Sequence, residues 1–289
     1  MRSSKNILNI FLTGYMVLFF LYLFTPLMFM TAAAFNSSSF PTFVPWQGAT
    51  LSWFETLFKD RILWGSVLNS VIIGAGVIAL AVPTGLAGAM LLTSRGIRGR
   101  GFLYALMVSP ILTPGVILGI STLIFWDNIG VPGGIFLTII GQTAYISSFC
   151  MLMFMARLQR FDRTLEEAAM DLGATHKQVF RKITLPFLRP AIYSAVLIAF
   201  LQSFENYNTT LFVIGAETTM TIRIASMVRL GITPEINALA VLFILFTILA
   251  AVLYEARRRD EARRAEAAKE AEERESDTVQ NLRLDMQTD

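Results

Sequence analysis

Apolar residues dominate six stretches of this chain, at roughly 8–34, 64–92, 102–126, 134–156, 188–214 and 236–254, and the charged residues gather between and after them. Crossing a hydrocarbon core of about 30 Å takes about 20 helical residues, and each stretch is of that order. Lone polar, Gly and Pro positions interrupt the runs without adding net charge, so helices are the economical way to satisfy the backbone there. The pattern therefore predicts an all-α integral membrane protein with six transmembrane helices. Residues 1–255 form the membrane domain and 256–289 a charged tail, helical at first and then disordered.

Two spans carry breakers. Pro110 and Pro114 interrupt the third and predict a bent or broken helix, tolerable only where neighbours or water re-satisfy the freed carbonyls. Both are hinge candidates. Gly115 and Gly119 form a Gly-x-x-x-Gly pair, which reads first as close helix packing. Polar residues from Gln202 to Thr210 interrupt the fifth span. A carboxylate at mid-helix costs about 2.5 to 3.5 kcal/mol on insertion scales, so Glu205 belongs either in a polar cavity or beyond an early helix end. Glu205, Asn206, Tyr207 and Asn208 are the pathway candidates; Asp127, Asn128 and the segment from Gln142 to Tyr145 are weaker ones.

The polar segment 157–190 has a structure of its own. Asp162 or Thr164 can cap a helix whose first turn holds Glu166 and Glu167, with Ala168, Ala169 and Leu172 continuing it. Gly173 ends that helix as a left-handed residue. A second short helix from about Thr175 to Ile183 would bring Val179, Phe180 and Ile183 onto one face, and Pro186 and Pro190 would stop it before the next span. The result is a helix-turn-helix elbow. Earlier in the chain, residues 35–63 make a long loop rich in Pro and Trp, where Trp53, Phe54, Leu57 and Phe58 suggest a short helix lying in the membrane plane.

Composition and charge narrow the class. The chain is 54% hydrophobic with a mean hydropathy of +0.57, too apolar for an ordinary soluble domain of 289 residues. Of its 24 Lys and Arg, two precede the first span, three follow the second, seven lie in the 157–190 loop and eight in the tail, leaving Lys59, Arg61, Arg223 and Arg229 for the opposite side. That skew puts both termini and the elbow in the cytoplasm. The net charge of +3 is then a topology signal, and no nucleic-acid partner is invoked. The first apolar stretch is longer than the 7 to 15 residues or so of a signal-peptide core, so it reads as an uncleaved helix. Cys150, the single cysteine, can form no intrachain disulfide.

No enzyme constellation is present. The chain lacks a Gly-x-Ser-x-Gly elbow, a His-Glu-x-x-His zinc pair, a Cys-x-x-Cys pair and a Gly-x-x-x-x-Gly-Lys-Ser/Thr phosphate loop, and its one histidine, His176, sits in the elbow. No catalytic residue, metal ligand or cofactor is expected. ATP, if it drives this protein, must bind another subunit.

Glu167-Ala168-Ala169, Gly173 and Ile183-Thr184-Leu185-Pro186 stand at the spacing of a known motif. They resemble the "EAA" loop of permease subunits of binding-protein-dependent ABC importers. Ser203-Phe204-Glu205-Asn206-Tyr207 and the segment from Arg223 to Leu239 look like parts of the second permease subunit of spermidine/putrescine-type importers. The resemblance covers about residues 7 to 255. It implies a type I importer fold in the bacterial inner membrane, a second permease, two ATPase subunits and an extracytoplasmic solute-binding protein. It also implies that Glu167, Ala168, Ala169, Gly173, Ile183, Leu185 and Pro186 contact the ATPase. One departure stands out: that subfamily carries two consecutive acids where this chain has Glu205-Asn206. A polyamine is the leading cargo, with an opine, an aminophosphonate or another amino compound as alternatives. A secondary transporter would need more intramembrane acids, and a scaffold would need no polar span residues.

Overall fold

The computed structural model describes residues 2–259 apart from Arg95, Ile232, Ala250 and Tyr254. The expected tail beyond residue 259 lies outside the described residues. Helices dominate, with one isolated bridge between Asn36 and Ala49. Among the described residues, five helices are long and apolar enough to span a membrane, and there are six spans if a sharply bent pair is counted as one. The chain divides into two compact units, residues 1–57 with the segment from 233 onward, and residues 58–232.

In the first unit, α1 (Arg2–Ala34) leads into a loop organised by Asn36, whose side chain is wholly buried. Asn36 Nδ2 donates to the carbonyls of Thr42 and Pro45 at 2.8 and 3.1 Å, and its Oδ1 accepts from Gln47 N–H at 2.9 Å. Helix α2 (Ser52–Lys59) packs on this loop: Trp53 Nε1 donates to Asn36 O at 2.8 Å, the Phe54 ring lies 5.3 Å from that of Phe35, and Leu57 is buried. The helix was expected from the sequence; part of its apolar face turns onto its own loop, because Asn36 supplies a polar centre the loop can fold around, while Phe58 stays exposed. The last described helix, α12 (Pro234–Arg259), and α1 together enclose an apolar cleft of about 710 Å³.

The second unit is built on three long helices, α3 (Arg61–Thr93), α6 (Ile135–Leu158) and α9 (Leu185–Phe204). Their shared core is small and close-packed, with Ile73, Val77, Ala81 and Ala89 against Ile146, Cys150 and Phe154, and Leu188, Ala195 and Ala199 closing the third side. Small residues let membrane helices approach, since the apolar surface left outside is solvated by lipid at little cost. Asp60 caps α3 by accepting from the Ile62 and Leu63 N–H groups at 2.9 and 3.0 Å and pairs with Arg223 at 3.1 Å. Partial burial alone would raise its carboxyl pKa, but the Leu63 and Ile62 N–H groups and the Arg223 guanidinium outweigh it and hold the group below its ordinary value. Arg223 belongs to α11 (Met220–Leu230), which is also tied to α3 through Met220 N–H and Ser70 Oγ at 3.0 Å.

The expected third span is two helices, α4 (Arg100–Leu112) and α5 (Gly115–Asp127), meeting at 104°. The chain turns at Thr113-Pro114, where Pro114 has no N–H to continue α4 and serves as the residue before α5. The fifth span departs further from expectation. Helix α8 (His176–Val179), a π-helical turn (Phe180–Thr184) and α9 run on as one helix of 29 residues, so Pro186 and Pro190 do not stop it. The wide turn explains this: Leu185 N–H reaches back five residues to Phe180 O, which relaxes the backbone just where Pro186 removes a donor. The same helix ends at Phe204, ten residues short of the expected boundary.

Candidate functional site

The end of α9 is a constructed break. Glu205 and Asn206 close it with N–H bonds to Leu201 O and Ser203 O at 3.1 and 3.2 Å, and the short α10 (Thr210–Val213) follows. Asn206 Oδ1 accepts from Thr209 N–H at 3.1 Å, so the side chain that leaves one helix prepares the next. Beneath the break lies Gln142 of α6, buried to 1% exposure. Its Oε1 accepts a short bond from Ser203 Oγ and its Nε2 donates to Thr210 Oγ1 at 2.8 Å, so one amide holds both sides of the interruption. Thr209 Oγ1 donates to Gly115 O at 3.2 Å, joining the break to the start of α5. A Cβ on Gly119 would stand 2.8 Å from Thr209 O, so the Gly-x-x-x-Gly pair admits this polar backbone rather than a plain helix face.

A cavity of about 400 Å³ opens over the break. Glu205, Asn206, Tyr207 and Asn208 all line it, with Tyr145 and Gln202 beside them and Ile111, Thr113 and Pro114 from the bent pair opposite. Pro110 lies inside α4 and does not line it, and neither do Asp127 and Asn128; Asn128 instead bonds Ile124 O at the end of α5. Tyr145 OH donates to Gln202 Oε1 at 3.4 Å, and Arg229 of α11 donates to Tyr207 OH at 3.0 Å. One carboxylate with amides and phenols around it suits a small polar solute carrying an ammonium group. The two readings of Glu205 thus merge: the helix does end early, and the end faces a polar cavity.

The elbow forms at the other end of the same long helix. Asp162 Oδ1 takes the Thr164 N–H and hydroxyl at 3.0 and 2.8 Å ahead of α7 (Thr164–Asp171), and these bonds hold the Asp162 carboxyl below its ordinary pKa. Gly173, at φ +86°, closes α7: its N–H bonds Met170 O at 2.9 Å and Ala174 N–H bonds Ala169 O at 3.0 Å. That pair of bonds is a Schellman cap, which needs the left-handed residue only Gly adopts freely. Thr175 and Gln178 then form a reciprocal capping box for α8. Val179 is buried, Ile183, Leu185 and Pro186 are half-buried, and Glu167, Ala168 and Gly173 are exposed. Ala169, Gly173, Lys182 and Ile183 border a cleft of about 440 Å³, at whose rim Leu172 stands 90% exposed. This leucine stands on an elbow held by the Asp162 bonds, the Gly173 cap and the Thr175–Gln178 capping box.

Membrane-length helices, a polar break under a cavity and an external elbow together define a multi-pass transport subunit. Residues 81–259, which hold both the break and the elbow, match the family described as the binding-protein-dependent transport system inner membrane component, and the chain belongs to that family. It is a permease subunit, not an enzyme. It is 34% identical over 237 residues to the putrescine transport system permease protein PotI of Escherichia coli K12, covering 79% of this chain and 84% of that one. Over 241 residues it is 28% identical to the spermidine/putrescine transport system permease protein PotC of Haemophilus influenzae Rd, covering 83% and 93%. A crystal structure of a bacterial ABC transporter involved in import of the acidic polysaccharide alginate shares the fold, with a TM-score of 0.69 at 16% identity over 89% of this chain and 97% of that one.

Proposed function

We propose that this chain forms half of the translocation pathway of an ATP-driven importer for a small polyamine such as putrescine, in the bacterial inner membrane with both termini in the cytoplasm. The observation that carries the cargo is the 34% identity to a putrescine permease across 79% of the chain. The cavity supports it, because Glu205 offers one carboxylate and Tyr145, Tyr207 and Asn206 offer acceptors for an ammonium group. Two ATPase subunits, a second permease and an extracytoplasmic solute-binding protein complete the assembly. The elbow, through Glu167, Ala168, Ala169, Gly173, Ile183, Leu185 and Pro186, seats on the ATPase, and closure of the ATPase pair on ATP moves it as a rigid body. Pro110 and Pro114 provide the hinge by which the bent helix pair follows.

A second reading has one specific observation behind it. Arg229 reaches Tyr207 of the cavity wall, and the single acid at Glu205-Asn206 leaves the local charge balanced, which suits a zwitterionic amino compound such as an opine. Calorimetry of the partner binding protein against putrescine, spermidine and a panel of opines separates the two. Putrescine binding in the micromolar range is expected, together with putrescine uptake that depends on this chain; opine binding without polyamine binding overturns the polyamine assignment.

A further inference from the structure

Helix His176–Phe204 lines the elbow cleft through Gln178, Val179 and Lys182 and lines the cavity through Gln202. At 1.5 Å per residue its 29 residues make one rod of about 40 Å between the two sites. What the rod lacks by itself is a fixed angle to α7, the other leg of the elbow. A side-chain bond helps to supply it: Thr184 Oγ1 donates to Glu166 Oε1 at 2.6 Å, with Thr184 3% exposed.

This bond is unusual for the chain. Helical threonines here donate to the carbonyl four residues back, as Thr31, Thr84, Thr138, Thr143 and Thr247 do. Thr184 does not, because the π turn commits Phe180 O to Leu185 N–H and turns the hydroxyl toward α7. Thr184 lies inside the Ile183–Pro186 run of the elbow motif and Glu166 directly precedes its Glu167, and together they join the two legs of the elbow at their base. A second tie fixes the approach to α7, where Arg163 Nη2 donates to Thr93 O at 2.5 Å.

We infer that Thr184 and Glu166 are positioning residues for energy coupling: their bond locks α7 to the rod, so that a displacement of the elbow reaches the cavity instead of being absorbed at the π turn. The inference rests on the reading of the elbow as the ATPase contact. π turns interrupt the regular helical ladder, and a part-buried, charge-assisted bond from the end of one to the neighbouring helix limits its freedom.

The test uses the permease assembled with its native partners in proteoliposomes, with Ile111→Cys as a labelling site in the cavity wall; native Cys150 is buried. With Thr184 in place, the maleimide labelling rate at position 111 is expected to change about fivefold or more between the nucleotide-free and the ATP-vanadate-trapped states, the low end of what a coupling free energy delivers. Thr184→Val keeps the branched shape and removes the donor. It is expected to erase that change while the ATPase still co-purifies in full, and Thr184→Ser is expected to restore it. Glu166→Ala should match Thr184→Val, with the double variant losing nothing more. A labelling change that survives in Thr184→Val overturns the inference, as does Thr184→Ser behaving like Thr184→Val, or no change with Thr184 in place. Leu172→Glu separates the two levels. If it leaves the ATPase bound, the elbow reading itself falls; if it releases the ATPase while Thr184→Val keeps the labelling change, only the lock falls.

Discussion

Gln142 is the residue on which the cavity floor depends. Its amide oxygen and nitrogen are both used, by Ser203 before the break and Thr210 after it, and it is shut away from solvent. Such an amide fixes geometry because neither hydroxyl has water to fall back on in a buried, low-dielectric setting. Gln142→Leu keeps the volume but strips both bonds, and leaving buried polar partners unmet costs about 1–3 kcal/mol. The expected outcome is a lower unfolding midpoint of the purified protein in detergent and a raised KM for uptake, since Glu205 and Asn206 would lose their fixed placement. Unchanged melting and unchanged KM would show that the break holds itself. Asn206 Oδ1 still accepts from Thr209 N–H just ahead of α10, so some order would survive the loss of Gln142.

Among the elements, the bent pair α4–α5 is the one whose shape the cavity shares. Thr113 and Pro114 form both the 104° corner and part of the cavity wall, so a change in the corner changes the cavity. Replacing Pro110 and Pro114 together by alanine would let backbone N–H groups re-form the ladder and straighten the corner. Uptake is expected to fall several-fold while the amount of protein in the membrane stays near wild type; equal losses of both would make the prolines structural and remove the hinge role. The corner and the elbow were both legible in the sequence because Pro and Gly act locally: Gly173 needs φ > 0 and Pro114 lacks a donor whatever surrounds them. The continuous rod was not legible. Pro186 and Pro190 argue locally for a stop, and only the π turn, which no local residue pattern announces, lets the helix run through them. The break after Phe204 was legible in part, since the polar run from Gln202 to Thr210 raised an early helix end as one of two readings, but the bonds to Gln142 and Gly115 that build it come from 61 or more residues away in sequence.

For the whole molecule, the distribution of Lys and Arg and the placement of the two sites argue for one direction through the membrane. The rod carries the elbow at its first turn, amid Lys177, Arg181 and Lys182, and reaches the cavity at its last, where Glu205 is the nearest charge along the chain. The proposed orientation, in which positive residues stay on the cytoplasmic side, puts the elbow on the side of the ATP supply and the cavity toward the outer half, where a delivered solute arrives first. Phe40 and Trp46 of the loop around Asn36 are exposed, and the proposed orientation assigns this loop to the extracytoplasmic side. Single cysteines test this without knowledge of the cargo. In intact spheroplasts Trp46→Cys is expected to react with a membrane-impermeant maleimide and Arg181→Cys only after the membrane is opened, with the buried Cys150 giving little background. The reverse order would invert the molecule, place the elbow away from ATP and remove the basis for the proposed coupling, because the elbow can take up hydrolysis only from the side where the nucleotide is bound.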